Sequence, residues 1–166
     1  ADYFAQNALT NCELINLDDM LQNGTIINGV MIEKPHRFLT AMTIATQIIL
    51  AVTSSTYGGA TVSLTHLAPF VKSSYDRYYK KYQDRGLSEK QCKEYAEQDT
   101  KKEVSDGVQT FNYQVNSMTN TNGQAPFLSV CMYLGETKEY KKELAMIIEE
   151  FLKQRMEGFK NEKGVY

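Results

Sequence analysis

Phe127-Leu128-Ser129-Val130-Cys131-Met132-Tyr133-Leu134 is a nearly continuous apolar run, closed by Pro126 before it and Gly135 after it. Such a run reads as a strand covered on both faces, the pattern of parallel sheets with helices outside. On that reading Cys131 is a core residue. The flanking segments supply the helices. Downstream, Thr137 is placed to cap a last helix with Tyr140, Leu144, Ile147, Ile148, Phe151 and Leu152 at helical spacing. Upstream lies the polar loop Thr119 to Pro126. Before it comes a long helix with the stripe Val104, Val108, Phe111, Val115 and Met118, continued more weakly through Cys92, Tyr95 and Ala96. Ser88 and Gln91 form a capping box at its start, and Cys92 reads as structural.

Further out, Tyr75, Tyr78, Tyr79 and Tyr82 follow i, i+3, i+4, i+7 spacing on a helix that ends at Gly86. Gly58-Gly59 breaks an earlier helix, which opens with Pro35 in its first turn and runs to about Ser54. Phe38, Ala41, Met42, Ala45, Ile48, Ile49 and Val52 make one face. Leu39, Ile44 and Leu50 make much of the other face apolar, so this helix is covered on more than one side, by a sheet and by another helix or a partner subunit. Asn28-Gly29 between Ile26-Ile27 and Val30-Met31-Ile32 is a hairpin signal, because both central residues of a type I′ turn need positive φ. Asp18 to Gly24 reads as a short helical turn, and Cys12 to Leu17 as the first strand. Residues 1–166 thus read as a helix-rich α/β chain, one domain or a piece of a larger one, with a leading tail at 1–10 and a polar tail at 161–166.

The 166 residues are 42% hydrophobic and 23% charged, with a net charge of -2. That composition suits a soluble globular chain and argues against a nucleic-acid surface. Phe38 to Val52 is too short and too interrupted by Thr40, Thr43, Thr46 and Gln47 to span a bilayer, so no membrane partner is expected. Cys12, Cys92 and Cys131 lie far apart, and no pair has zinc-ligand spacing. His36 and His66 lack a paired ligand, so no metal site is expected. The unpaired cysteines fit a reducing, cytoplasmic setting.

Each motif has a plain reading beside the chemical one. Cys12 at a strand end can face a cavity, although packing is the usual role of a free cysteine. Gly58-Gly59 can cradle a phosphate or turn the chain; without P-loop or Rossmann spacing, the turn is favoured. The tyrosine stripe can stack on bases, but half-buried helix faces with wet hydroxyls are commoner.

The order of the short segments carries more. Asn11-Cys12 leads an apolar strand and Leu17-Asp18-Asp19-Met20-Leu21-Gln22-Asn23-Gly24. An apolar helix containing Gln47 follows, then Tyr57-Gly58-Gly59-Ala60-Thr61 and Leu67-Ala68-Pro69-Phe70-Val71. Last come Val115-Asn116-Ser117-Met118 and Asn122-Gly123-Gln124-Ala125-Pro126-Phe127. From Asn11 to Leu134 this series resembles the catalytic subunit of anaerobic (class III) ribonucleotide reductases. The resemblance implies an early segment of a ten-stranded α/β barrel made of two parallel half-barrels. It also implies reduction of ribonucleoside triphosphates to deoxyribonucleotides, the precursors for DNA replication. In that family a glycyl radical, formed by a radical-SAM activase, generates a thiyl radical that abstracts the ribose 3′-hydrogen. A second cysteine on an early strand supplies a proton or hydrogen as the 2′-hydroxyl leaves.

By resemblance, Cys12 is that second cysteine. Asn11, Tyr57, Gly58, Gly59, Asn122 and Gln124 stand near the substrate. Glu33, His36, Gln47 and Arg77 fall near a regulatory deoxynucleotide site at a homodimer interface. Relatives often carry lysine where His36 and Arg77 stand; either can meet phosphate, with His36 only partly cationic at neutral pH. The thiyl-bearing loop, the glycyl-radical motif, the four-cysteine zinc site and the ATP cone have no counterpart in these residues. The chain therefore reads as a fragment that holds no cofactor and is inactive alone. The alternative is a non-catalytic regulatory or dimerisation module that binds deoxynucleotides or a partner helix. Formate-lyase-like glycyl-radical enzymes carry adjacent active-site cysteines, and this sequence has no Cys-Cys pair.

Overall fold

The computed structural model describes residues 12–56, 58–121, 123–160 and 163–164. The expected tails at 1–10 and 161–166 lie outside these residues, apart from 163–164. Three strands make a parallel sheet: β1 (Glu13–Leu14), β4 (Ala60–Ser63) and β5 (Leu128–Cys131), in the order β1-β4-β5. Glu13 pairs with Ala60, which in turn pairs with Leu128. The hairpin β2 (Thr25–Ile27) and β3 (Val30–Ile32) stands apart as its own antiparallel pair. Asn28 (φ 51) and Gly29 (φ 79) both sit in the left-handed region, as the Asn-Gly signal requires.

The helices are α1 (Leu17–Gln22), α2 (Phe38–Thr53), α3 (Ala68–Gln83), α4 (Glu89–Ser117) and α5 (Lys141–Glu157), with a 3-10 turn at Leu64–Leu67. The first strand is shorter than the expected 12–17. Asn16 already caps α1 by accepting from the Asp19 amide at 3.4 Å, which ends the extended chain. Pro35 precedes α2 rather than opening it. Arg37 is extended (φ -142, ψ 149) and has no side-chain cap bond. The first amides of α2 are instead capped by other helices: Ser74 Oγ accepts from Phe38 N at 2.9 Å, and Glu103 Oε1 from Leu39 N at 3.1 Å. α3 ends at Gln83, three residues before Gly86, whose φ of +78 turns the chain. The Ser88–Gln91 capping box is present at the head of α4. Met118 lies just beyond that helix as its C-cap.

The core gathers around α2, which packs on α4, α3, the sheet, the hairpin and α1. Phe38, Ala41, Met42, Ala45 and Ile49 on one face are fully buried; on the other face Ile44 is buried and Leu39 and Leu50 are half-buried, so the cover extends beyond one side. Gly107 of α4 admits Phe38: an added Cβ there would lie 2.7 Å from the ring. Phe111 and Phe151 meet edge-on at 5.4 Å, locking α5 to α4. Cys92 is buried, in line with a structural role.

Two expectations are overturned. β5 is an edge strand, not one covered on both faces. Leu128 and Val130 face the core, while Ser129 and Cys131 are exposed, and Phe127 is 76% exposed. Among the described residues no strand pairs beyond it and no layer covers its outer face, so Cys131 is not a core residue. Thr137 does not cap the last helix: α5 starts after Tyr140, and the Thr137 hydroxyl accepts from the Glu139 amide instead.

Candidate functional site

The parallel register brings three distant segments to one end of the sheet. Glu13 N donates to Gly59 O at 3.1 Å, and Ala60 N donates to Phe127 O at 2.9 Å. Cys12, Gly59 and Phe127 therefore stand side by side, each just before its strand. Cys12 is exposed at this end. Gly59 is there for space rather than for turning, since its φ lies outside the left-handed region: a Cβ would lie 2.6 Å from the Phe127 ring and 3.3 Å from its carbonyl. Behind it a cleft of about 290 Å³ is lined by Thr53, Thr56, Gly58, Gly59, Asn120 and Gln124, among others. Among the described residues the Thr56 hydroxyl, buried there, has no hydrogen-bond partner, the kind of group that a polar ligand or water satisfies.

The loop that carries Gln124 is stitched to the C-terminal end of α2. Asn120 Oδ1 accepts from Gln124 N at 3.1 Å, Asn120 N donates to Gln124 O at 2.8 Å, and Thr121 Oγ1 donates to Ser54 O at 3.0 Å. Of the residues expected near substrate, Gly58, Gly59 and Gln124 thus share one cleft, with Cys12 beside Gly59 at the sheet end. Asn11, Tyr57 and Asn122 lie outside the described residues.

The expected effector residues divide. Glu33 and His36 are exposed on the segment between β3 and α2, and Arg77 is exposed on α3. The Arg37 guanidinium donates from Nη2 to the Tyr78 hydroxyl at 3.2 Å, which ties the neighbours of His36 and Arg77 together. Gln47 stands nine residues past Phe38, roughly 13 Å along α2 at 1.5 Å per residue. It lines a separate groove of about 700 Å³ against hairpin residues Ile27, Val30 and Ile32.

The sequence reading missed the group at the start of α2. Glu103, 4% exposed, accepts from Arg37 Nε at 3.3 Å as well as from Leu39 N. Burial opposes the charge on Arg37, but the Glu103 carboxylate and the Tyr78 hydroxyl outweigh it and hold its pKa above the ordinary value. The Tyr78 phenol is pushed up to about 12, by burial first and then by Glu103. One signal could have revealed Glu103: it falls on the apolar face of α4, one turn before Gly107 and two before Phe111.

Elsewhere, Glu136 holds the loop after β5 to β4, accepting from Ser63 Oγ at 2.5 Å and Thr65 Oγ1 at 2.7 Å. The Ser63 bond above all keeps its carboxyl below the usual range, with Thr65 and His66 adding to the effect and burial opposing it. The tyrosine stripe is engaged by the chain itself. Tyr75 and Tyr79 stack at 6.2 Å, Lys81 lies over Tyr78 and Tyr82, and Tyr82 donates to Asp99 at 2.6 Å. Among the described residues no helix is long and apolar enough to cross a membrane, and no group of three His, Cys, Asp or Glu side chains gathers to hold a metal.

Comparison with known proteins agrees with this architecture. A likeness in fold is found to the anaerobic ribonucleotide reductase from Thermotoga maritima, solved in complex with dATP and CTP. The TM-score is 0.59 at 13% identity, over 90% of this chain and 25% of that one. The chain is 35% identical over 165 residues to the anaerobic ribonucleoside-triphosphate reductase of Escherichia coli, covering 98% of this chain and 22% of that protein. It is 32% identical over 159 residues to the enzyme of the same name from Enterobacteria phage T4, covering 95% of this chain and 25% of that protein. It therefore spans about a quarter or less of the length of these relatives. Since the family model described as anaerobic ribonucleoside-triphosphate reductase matches residues 1–166 throughout, the chain belongs to that family.

Proposed function

We propose that this chain is part of the catalytic barrel of an enzyme that reduces ribonucleoside triphosphates to deoxyribonucleotides, and that Cys12 acts on the ribose. The observation that carries this reading is the placement of Cys12 beside Gly59 at the sheet end, next to the polar cleft that also holds Gln124. Departure of the 2′-hydroxyl as water needs a proton at that oxygen. A thiol held against a paired strand delivers it within reach, better than one on a free loop. The cleft beside Gly58 and Gly59 admits the sugar, and the Thr56 hydroxyl and Gln124 amide offer it polar partners. A glycyl radical outside these residues would supply the radical chemistry that activates the ribose, and its formation calls for a radical-SAM activase. The zinc and the regulatory ATP that the resemblance implies belong outside these residues too.

Glu33, His36 and Arg77 form one part of a deoxynucleotide effector site in this reading, and Gln47 the other. The separation of Gln47 along α2 suits a site completed across a homodimer. The exposed hairpin residues Ile26, Val30 and Met31 favour an interface on that side.

The test is Cys12→Ala in the full-length enzyme, assayed anaerobically after activation. Deoxynucleotide formation falls by about 10²–10⁴-fold, the range for loss of a positioned proton donor, while the glycyl radical signal still forms. Near-normal turnover would remove Cys12 from the chemistry.

A further inference from the structure

We propose that Arg37 contacts the phosphates of the deoxynucleotide at the effector site, with Glu103 and Tyr78 as the residues that position it. The inference rests on the effector-site reading above.

A buried glutamate beside an arginine has a plain explanation: an internal ion pair that caps α2. The geometry of the pair goes beyond that. Guanidinium and carboxylate usually close into a fork with two parallel bonds. Here Glu103 Oε1 takes both donors, Arg37 Nε and Leu39 N, while Oε2 is buried with no partner among the described residues. Glu103 thus grips Arg37 through Nε alone. Its Nη2 holds the Tyr78 hydroxyl, and its Nη1 has no partner among the described residues. The Arg37 side chain keeps 37% of its surface exposed while Glu103 keeps 3%. One edge of the guanidinium is anchored and the other is open to solvent.

The surroundings select the ligand class. Lys34 and His36 precede Arg37 closely in sequence and are exposed. Tyr78, to which it is bonded, is followed on α3 by Tyr79 and preceded by exposed Arg77. Glu33 is the exposed acid on the same segment, and Glu103 is already engaged. The excess of positive charge suits an anion with several negative oxygens. A guanidinium whose plane is fixed in advance loses little side-chain entropy when it binds one. A triphosphate fits this description; a neutral nucleoside does not.

The experiment measures binding of deoxynucleoside triphosphates, and of the matching deoxynucleosides, to the full-length protein. Arg37→Gln is expected to weaken triphosphate binding about ten- to a hundredfold, the value of a charge-assisted hydrogen bond, and to leave deoxynucleoside binding unchanged. Arg77→Ala serves as the control for the site itself. If Arg77→Ala weakens the triphosphate and Arg37→Gln does not, the role of Arg37 is overturned while the effector site stands. If the unmodified protein binds no deoxynucleotide, the effector site itself is wrong. A second measurement needs no variant: phenylglyoxal labelling of the native protein, read by peptide mass spectrometry. Saturating triphosphate protects Arg37 and deoxynucleoside does not; equal labelling under both would overturn the inference even if Arg37→Gln failed to fold.

Discussion

Tyr78 shows how one residue reports on the group around it. Its hydroxyl meets Arg37 Nη2, and burial together with the Glu103 carboxylate pushes the phenol up to about 12. A phenol with a raised folded value contributes stability that is complete below the ordinary value near 10 and lost as pH rises toward the folded value. Subtracting the tyrosinate absorbance titration of Tyr78→Phe from that of the full-length protein is expected to isolate one phenol titrating near 12. A midpoint near 10 would mean that the hydroxyl faces water. At this scale the sequence singled out Cys12 as a candidate, because the segments that follow it come in a telling order. It was uninformative about Arg37, which has no motif. Its importance comes from Glu103, 66 positions away.

Helix α2 shows how an element depends on others for its beginning. Pro35 is a common start signal, yet the helix begins at Phe38, where Ser74 and Glu103 accept the first amides. The missing side chain at Gly107 completes the joint by letting Phe38 close in. Alanine would gain roughly 1 kcal/mol of helix propensity there, but its Cβ would meet the ring at 2.7 Å and Met42 Cγ at 3.3 Å. Overpacking of this kind costs about 1–3 kcal/mol. Gly107→Ala is therefore expected to be net destabilising and to speed hydrogen exchange of the α2 amides. Unchanged exchange would show that Phe38 has room to move. The Ser88–Gln91 capping box and the Asn28-Gly29 turn, by contrast, are legible in full, because every group they need lies within a few residues.

Over the whole molecule, the open edge of the sheet is the main departure from expectation. Leu14 in β1 and Phe127 and Tyr133 on either side of β5 are 74%, 76% and 64% exposed. Apolar strand edges of this kind invite pairing with other chains. A polypeptide limited to residues 12–160 is thus expected to bind ANS and to self-associate in sedimentation experiments, more strongly per residue than the full-length protein. A monomer that binds no dye would show that these faces need no cover. The apolar run from Phe127 to Leu134 reads as a strand covered on both faces, yet among the described residues β5 is an open edge with only Leu128 and Val130 turned to the core. By itself the sequence determined the helices, their periods, the hairpin turn and the family, since these are written in neighbouring residues or in the order of short segments. Only the tertiary structure decided which strand ends stand together, which face of β5 is open and which buried acid holds Arg37. Register and burial depend on what lies opposite a residue in space, and here the opposite partners come from positions tens of residues away.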